Sequence, residues 1–211
     1  MALSLNSFVF IWGDNSHGQC GLEGSCEFPR LVPDLLGLGI CAVVAGGAHT
    51  VALTKTGEAY AWGINKQGQC GTNTDLKHPT LIPVPGKAKG ASAGLMHTFL
   101  LLSDNTLCVT GGNSNGQLGI GSTASLFSFT KLQIMGNFIS CGAVHTLIVT
   151  PSGDLLSTGG NSCGQLGLGD FQDRLVPTKV PTLSNISLCR CGEEFSVAIS
   201  SSSQIFTFGK T

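Results

Sequence analysis

Three histidines stand in equal register. His49, His97 and His145 are spaced 48 residues apart, and Thr follows each one. Imidazole titrates near neutral pH and is a common metal ligand. Three converging rings would hold a metal or form an acid–base set. The surrounding residues repeat too: Ala45-Gly46-Gly47-Ala48-His49-Thr50, Ala93-Gly94-Leu95-Met96-His97-Thr98 and Cys141-Gly142-Ala143-Val144-His145-Thr146. A fourth copy, Cys191-Gly192-Glu193-Glu194-Phe195-Ser196, has Phe in place of His. One His per repeat argues against catalysis, because catalytic groups are rarely duplicated once per unit. The favoured reading is that each ring bonds a neighbouring loop and fixes its own unit, with no catalytic residue and no metal site expected.

The remaining reactive side chains carry weaker signals. The nine Cys show no Cys-x-x-Cys and no recurring ligand spacing. Cys20 and Cys70 stand where Leu118 and Leu166 stand in other repeats, and Cys141 and Cys191 stand where Ala45 and Ala93 stand. A Cys that alternates with Leu or Ala reads as a small buried hydrophobe, which implies a reducing compartment. Asp104 and Asp154 fall in turn sequences, where Asp is ordinary. Asp170 and Asp173 sit beside Arg174 in a variable link and read as a solvated loop, and Asp14 opens a turn. The tail Gly209-Lys210-Thr211 imitates the end of a phosphate-binding loop, but Gln204 stands where that motif needs its first Gly. No nucleophile elbow is present. His17 and His78 read as surface residues, and no cofactor is expected.

The elements that position these residues are themselves repeated. Trp12-Gly13-Asp14-Asn15-Ser16-His17-Gly18-Gln19 matches Trp62-Gly63-Ile64-Asn65-Lys66-Gln67-Gly68-Gln69. The skeleton returns at Asn113, Gly116 and Gln117, and again at Asn161, Gly164 and Gln165. The Gly of the Gly-Gln pair recurs at 18, 68, 116 and 164. A fixed period near 50 residues marks one supersecondary unit used repeatedly. Gly supplies positive φ in this turn, Asn closes it through side-chain to backbone bonds, and Gln is expected to bond backbone of the same loop.

Each unit has short β-rich runs and no helical periodicity. Phe8 to Trp12, Glu58 to Trp62 and Thr106 to Thr110 are apolar or small on both faces, as in a sheet covered on both sides. Pro-x-x-x-Pro in three of the variable links (Pro29 with Pro33, Pro79 with Pro83, Pro177 with Pro181) fits an outer edge strand. Four strands per unit at this period read as a propeller blade. The expected architecture is one all-β repeat domain over 1–211, a β-propeller of about four blades of four antiparallel strands, in an incomplete ring. The units are 8–57, 58–105, 106–153 and 154–203, with a fifth starting at 204–211. A closed four-bladed ring is the alternative.

Composition narrows the function. Gly numbers 30, net charge is -1 and charged residues are 11% of the chain. That disfavours a basic nucleic-acid footprint and also disorder. No run approaches the roughly 20 apolar residues of a membrane span. Met1 to Ile11 has no Lys or Arg before its apolar run, so a signal peptide is not expected. A cytoplasmic or nuclear location follows.

The alternation of Trp-Gly-x-Asn-x-x-Gly-Gln-x-Gly with Ala/Cys-Gly-x-x-His-Thr resembles the repeat of the regulator of chromosome condensation family, from Phe8 to Gly209. The resemblance implies a β-propeller, usually of about seven blades, and a platform for protein partners. The founding member's face engages the small GTPase Ran and promotes nucleotide exchange. In that frame His49, His97 and His145 border the GTPase-facing surface and become candidate partner contacts. This sequence lacks a long insertion like that member's β-wedge, lacks a basic DNA-binding arm, and places its two Trp outside the His-Thr motif, unlike the light-sensing branch. The expected function is a non-catalytic interaction platform for a protein partner, with a small GTPase as the class the resemblance implies. The alternatives are an exchange factor for a Ran-like GTPase and a truncated or inactive short isoform. Apolar faces left open are expected to bring self-association or a need for further blades.

Overall fold

The computed structural model describes residues 1–210; Thr211, in the start of the expected fifth unit, lies outside the described residues. Strands run in chain order through five antiparallel sheets. The first sheet holds β1 (Ala2–Leu3), β2 (Val9–Gly13) and β3 (Cys26–Leu31). A short 3-10 turn, Pro33–Leu35, leads out of it. The second has β4 (Ile40–Ala45), β5 (His49–Thr54), β6 (Ala59–Gly63) and β7 (Leu76–Leu81). The third has β8 (Ala88–Ala93), β9 (His97–Leu102), β10 (Thr106–Gly111) and β11 (Leu126–Met135). The fourth has β12 (Phe138–Cys141), β13 (His145–Val149), β14 (Leu155–Gly159) and β15 (Arg174–Lys179). The fifth has β16 (Ile186–Cys191), β17 (Phe195–Ser200) and β18 (Ile205–Gly209).

Sequence units and hydrogen-bonded sheets are out of phase by half a unit. Residues 58–105 supply β6 and β7 to one sheet and β8 and β9 to the next. Four units, with β1 before them and β18 after them, thus build five sheets, three of four strands between two of three. The chain stitches each sheet to its neighbour covalently. β1 was not foreseen in the sequence; it is two residues long, too short for any periodic signal.

The register is identical from sheet to sheet. His49 pairs with Gly63, His97 with Gly111, His145 with Gly159 and Phe195 with Gly209. The ladder to the outer strand then slips, between Ala61 and Gly63, Val109 and Gly111, and Ser157 and Gly159. A bulge at that Gly bends each strand into the Asn–Gly–Gln loop. Pro29, Pro79 and Pro177 all lie in outer strands β3, β7 and β15, where a missing N–H costs no ladder bond.

Among the described residues the core is divided into four clusters. One apolar cluster fills each gap between adjacent sheets. Val51, Leu53, Ala59 and Ala61 of the second sheet meet Leu100, Leu102 and Phe129 of the third. Phe99, Leu107 and Val109 of the third meet Ile139 and Ile148 of the fourth. Leu147 and Leu155 of the fourth meet Cys189 and Ala198 of the fifth. Fully burying such a side chain contributes about 1.5–3 kcal/mol, so each gap is a substantial interface. The sheets form an arc that does not close, and its flanks are open: Trp12 in the first sheet is 42% exposed, whereas its counterpart Trp62 is 0% exposed.

Gly68 tests how the loops seat. Its φ is +83°, and a Cβ there would lie 2.3 Å from the Leu126 carbonyl oxygen and 2.6 Å from Phe127 Cα of the next sheet. Gly68→Val is therefore strained in its own backbone and overlaps a neighbouring strand. Thermal unfolding should show a loss of several kcal/mol; an unchanged midpoint would contradict this seating.

Candidate functional site

The turns after β4, β8, β12 and β16 and the loops after β6, β10 and β14 lie at one end of the sheets. Backbone bonds join them: Ile64 N donates to Ala48 O (2.9 Å), Gly112 N to Met96 O (2.7 Å) and Gly160 N to Val144 O (2.8 Å). Each loop is wound around its Asn. Asn65 Nδ2 donates to Thr72 O and Thr74 O, both 2.7 Å, and its Oδ1 accepts from Cys70 N at 2.7 Å. Asn15 and Asn113 make the same set with their own loops, and Asn161 differs only in that its Nδ2 reaches Asp170 O and the Asp170 carboxylate while its Oδ1 accepts from Leu166 N. Gln19, Gln69, Gln117 and Gln165 accept through Oε1 from the backbone N two residues earlier, at 2.8–3.0 Å.

The three His lie beneath this face, 0–1% exposed. His49 Nε2 meets Thr98 Oγ1 at 2.8 Å, His97 Nε2 meets Thr146 Oγ1 at 3.0 Å, and His145 Nε2 meets Ser196 Oγ at 3.0 Å. Each bond crosses to the next sheet. The hydroxyl then donates back to the sheet of the His: Thr98 to Gln69 O (2.7 Å), Thr146 to Gln117 O (2.9 Å) and Ser196 to Gln165 O (2.7 Å). A hydroxyl has one proton. Since it goes to the Gln carbonyl, the imidazole must supply the other, so Nε2 carries the hydrogen and Nδ1 is bare. Nδ1 of all three rings accordingly lacks a donor. The rings stand against Gly46, Gly94 and Gly142, where a Cβ would come within 2.1–2.2 Å of Cε1.

Burial holds these imidazoles neutral. It pushes His49 and His145 down to about 4, and His97 to about 3, with the neighbouring His49 and His145 adding to the effect on His97. The rings reach no common point, and among the described residues no group of three His, Cys, Asp or Glu could hold a metal. They are spacers between sheets that hold the turns above them, and their burial keeps them off the surface. Leu95 is 47% exposed and Met96 40%. They border a shallow cavity of about 240 Å³ with Gln67, Ser114 and Val144. The sequence offered no signal for this pair beyond two large apolar residues where other copies have Gly-Ala, Ala-Val or Glu-Glu.

The acidic residues serve the loops. Asp173 accepts from Asn161 N at 2.8 Å, Asp170 pairs with Arg174 at 2.6 Å, and Asp154 pairs with Lys179 at 2.7 Å. Asp104 caps Thr106 N, and Asp14 binds Ser16. His17 and His78 are exposed. All nine thiols are free; burial pushes Cys70, Cys141 and Cys189 up to about 12.

Radially arranged four-stranded meanders joined by a repeated loop define a β-propeller of tandem repeats. The RCC1-like domain profile matches residues 1–211, and the chain belongs to that family. Over 60 residues it is 47% identical to rat probable E3 ubiquitin-protein ligase HERC4, which is 27% of this chain and 6% of that one. Over 53 residues it is 49% identical to mouse RCC1 domain-containing protein 1, 24% of this chain and 14% of that one. The structure of Prp20p from Saccharomyces cerevisiae superposes with a TM-score of 0.82 at 26% identity, over 95% of this chain and 54% of that chain. Human WBSCR16 shares the fold, with a TM-score of 0.83 at 21% identity over 95% of this chain and 56% of that chain. The chain thus spans about half the length of these two structures and a small part of the curated relatives it matches. Among the described residues no helix is long and apolar enough to cross a membrane.

Replacing His97 by Phe reproduces the arrangement at Phe195, whose ring lies on Gly192. The ring should fit, and Thr146 should lose one donor, costing about 0.5–1.5 kcal/mol in denaturant titration. The pH response has a definite sign. A depressed folded pKa means the unfolded chain binds more protons as pH falls below about 6.5. Stability from the three rings is fully present above that pH and is lost towards about pH 4 for His49 and His145 and about pH 3 for His97. The stability–pH slope between these values should be shallower in His97→Phe than in the parent, and an equal slope would refute the neutral-ring assignment.

Proposed function

We propose that this chain is a non-catalytic protein-interaction platform that presents the turns above its His ladder to a protein partner. The observation that carries the reading is the exposed pair Leu95 and Met96 on a rigid support. Their turn is tied to the loop behind it through Gly112 N and to the next sheet through Leu95 N, which donates to Ala143 O at 3.2 Å. Apolar side chains held rigidly beside a cavity lose little freedom on binding, which favours recognition. The turns change chemistry around the arc, from Gly47-Ala48 through Leu95-Met96 and Ala143-Val144 to Glu193-Glu194. An apolar centre with an acidic end gives the face a direction.

The partner class we favour is a Ran-like small GTPase. The family resemblance supports it, as does the likeness to Prp20p, whose structure was described with its binding properties to Gsp1p and histones. A second reading, nucleotide exchange on that GTPase, has the same support. It would act by distorting the phosphate and magnesium region, without covalent chemistry.

The test is calorimetric binding of the chain to a Ran-like GTPase, with release of a fluorescent nucleotide measured in parallel. Binding without faster release is expected, and Leu95→Asp with Met96→Asp should weaken it at least tenfold while thermal stability stays within about 0.5 kcal/mol, as surface changes do. Accelerated release would establish the exchange reading. Absence of binding, or equal binding by the double variant, would remove the GTPase or this turn from the proposal.

A further inference from the structure

The first sheet differs from its copies in a feature that the interaction face does not use. Two positions turn into the gap between sheets in the second and third sheets: the residue after Gln in the loop, and the first residue of the outer strand. Leu118 and Leu126 share one core, and Cys70 and Leu76 another. In the first sheet both are cysteines. Cys20 and Cys26 are each 1% exposed in one core, and both thiols are free. Cys20 Sγ lies 3.8 Å from Gly13 O and 3.5 Å from Asp14 O. Gly13 is the cross-strand partner of Cys26, so one sulfur sits over the residue opposite the other. Burial, and then the adjoining Cys26 thiol, push the Cys20 thiol up to about 12. Arg30 pins the segment between them. Its Nη1 donates to Glu23 O and Ser25 O, both at 2.9 Å, and stands 4.0 Å from Cys26 Sγ.

We propose that Cys20 and Cys26 form a modification site, a thiol pair that a small disulfide such as oxidised glutathione converts to an intramolecular disulfide. Deprotonated Cys26 attacks one glutathione sulfur, forming a mixed disulfide and releasing one glutathione thiolate. Deprotonated Cys20 then attacks the Cys26 sulfur and displaces the second glutathione thiolate. The two thiolates take up the two protons, so the protein is oxidised by two electrons and one glutathione disulfide is reduced to two thiols.

The site controls a junction. Gln19, next to Cys20, offers the carbonyl that accepts from Trp62 Nε1 and Thr50 Oγ1 of the second sheet, both at 2.9 Å. Cross-linking Cys20 to the outer strand fixes that carbonyl and tightens the first sheet on the second. Opening of the loop admits the oxidant. The first sheet packs on one neighbour and its Trp12 flank is open, so this loop opens more easily than that of Cys70, whose sheet is packed on both faces.

The full chain is incubated with excess oxidised glutathione, alkylated under denaturing conditions and digested with trypsin. The peptide Met1–Arg30 contains Cys20 and Cys26 and no other Cys. It should appear unalkylated and two hydrogens lighter than the dithiol, and the oxidised protein should melt several degrees higher until reductant is added. In Cys26→Ser, Cys20 should carry alkyl or glutathione and the melting shift should vanish. Alkylation of both residues, a retained glutathione adduct in the parent, or linkage to a third Cys would overturn the site. The disulfide without a melting shift would overturn its role at the junction.

Discussion

The structure depends on a hydroxyl clamped twice by the preceding sheet. Thr98, Thr146 and Ser196 each receive a proton from a buried imidazole and donate one to a Gln carbonyl. Both contacts come from the same neighbour, so they fix rotation as well as distance between sheets. In a dry gap such bonds are strong and costly to leave unmade. They dictate much around them: a neutral ring, a Gly beneath it, a Gln carbonyl turned inward, and an Asn to hold the loop that turns it. A bare Nδ1 on each ring is the cost of that choice.

Stability is therefore distributed along the arc. Each sheet packs on its neighbours alone, as in other repeat proteins. Positions sealed inside the arc become exposed at its ends, which is why Trp12 and Trp62 differ so much. Phe195 shows the same logic. It occupies the place of a His, lies on Gly192, and is 46% exposed. No sixth sheet is present among the described residues for a ring donor to reach.

The candidate face inherits its rigidity from the ladder. Turns that carry side chains as different as those of Leu95-Met96 and Glu193-Glu194 share one backbone bond to the loop behind, made by Gly112 and by Lys210. Side chains there are free to vary because the His, Thr, Gly and Gln below do the holding. A constant frame under variable tips is how binding surfaces are built on scaffolds.

Much of the fold was legible in the sequence, because a 48–50-residue period imposes one register on every copy and registers propagate locally. The Gly, Asn and Gln of the loops declare their backbone roles through residue type. Sequence fixed the kinds of strand and their order, and marked the Pro-bearing strands as outer. It could not show that units and sheets are offset by half a period, since pairing between β6 and β5 or between β6 and β7 has the same local pattern. Nor could it show that His49, His97 and His145 lie sealed beneath the surface, that Leu95 and Met96 stand out above them, or that Cys20 adjoins Cys26. Those facts depend on which residues meet across a gap, and contact between chain segments about 50 residues apart is settled only when the sheets pack.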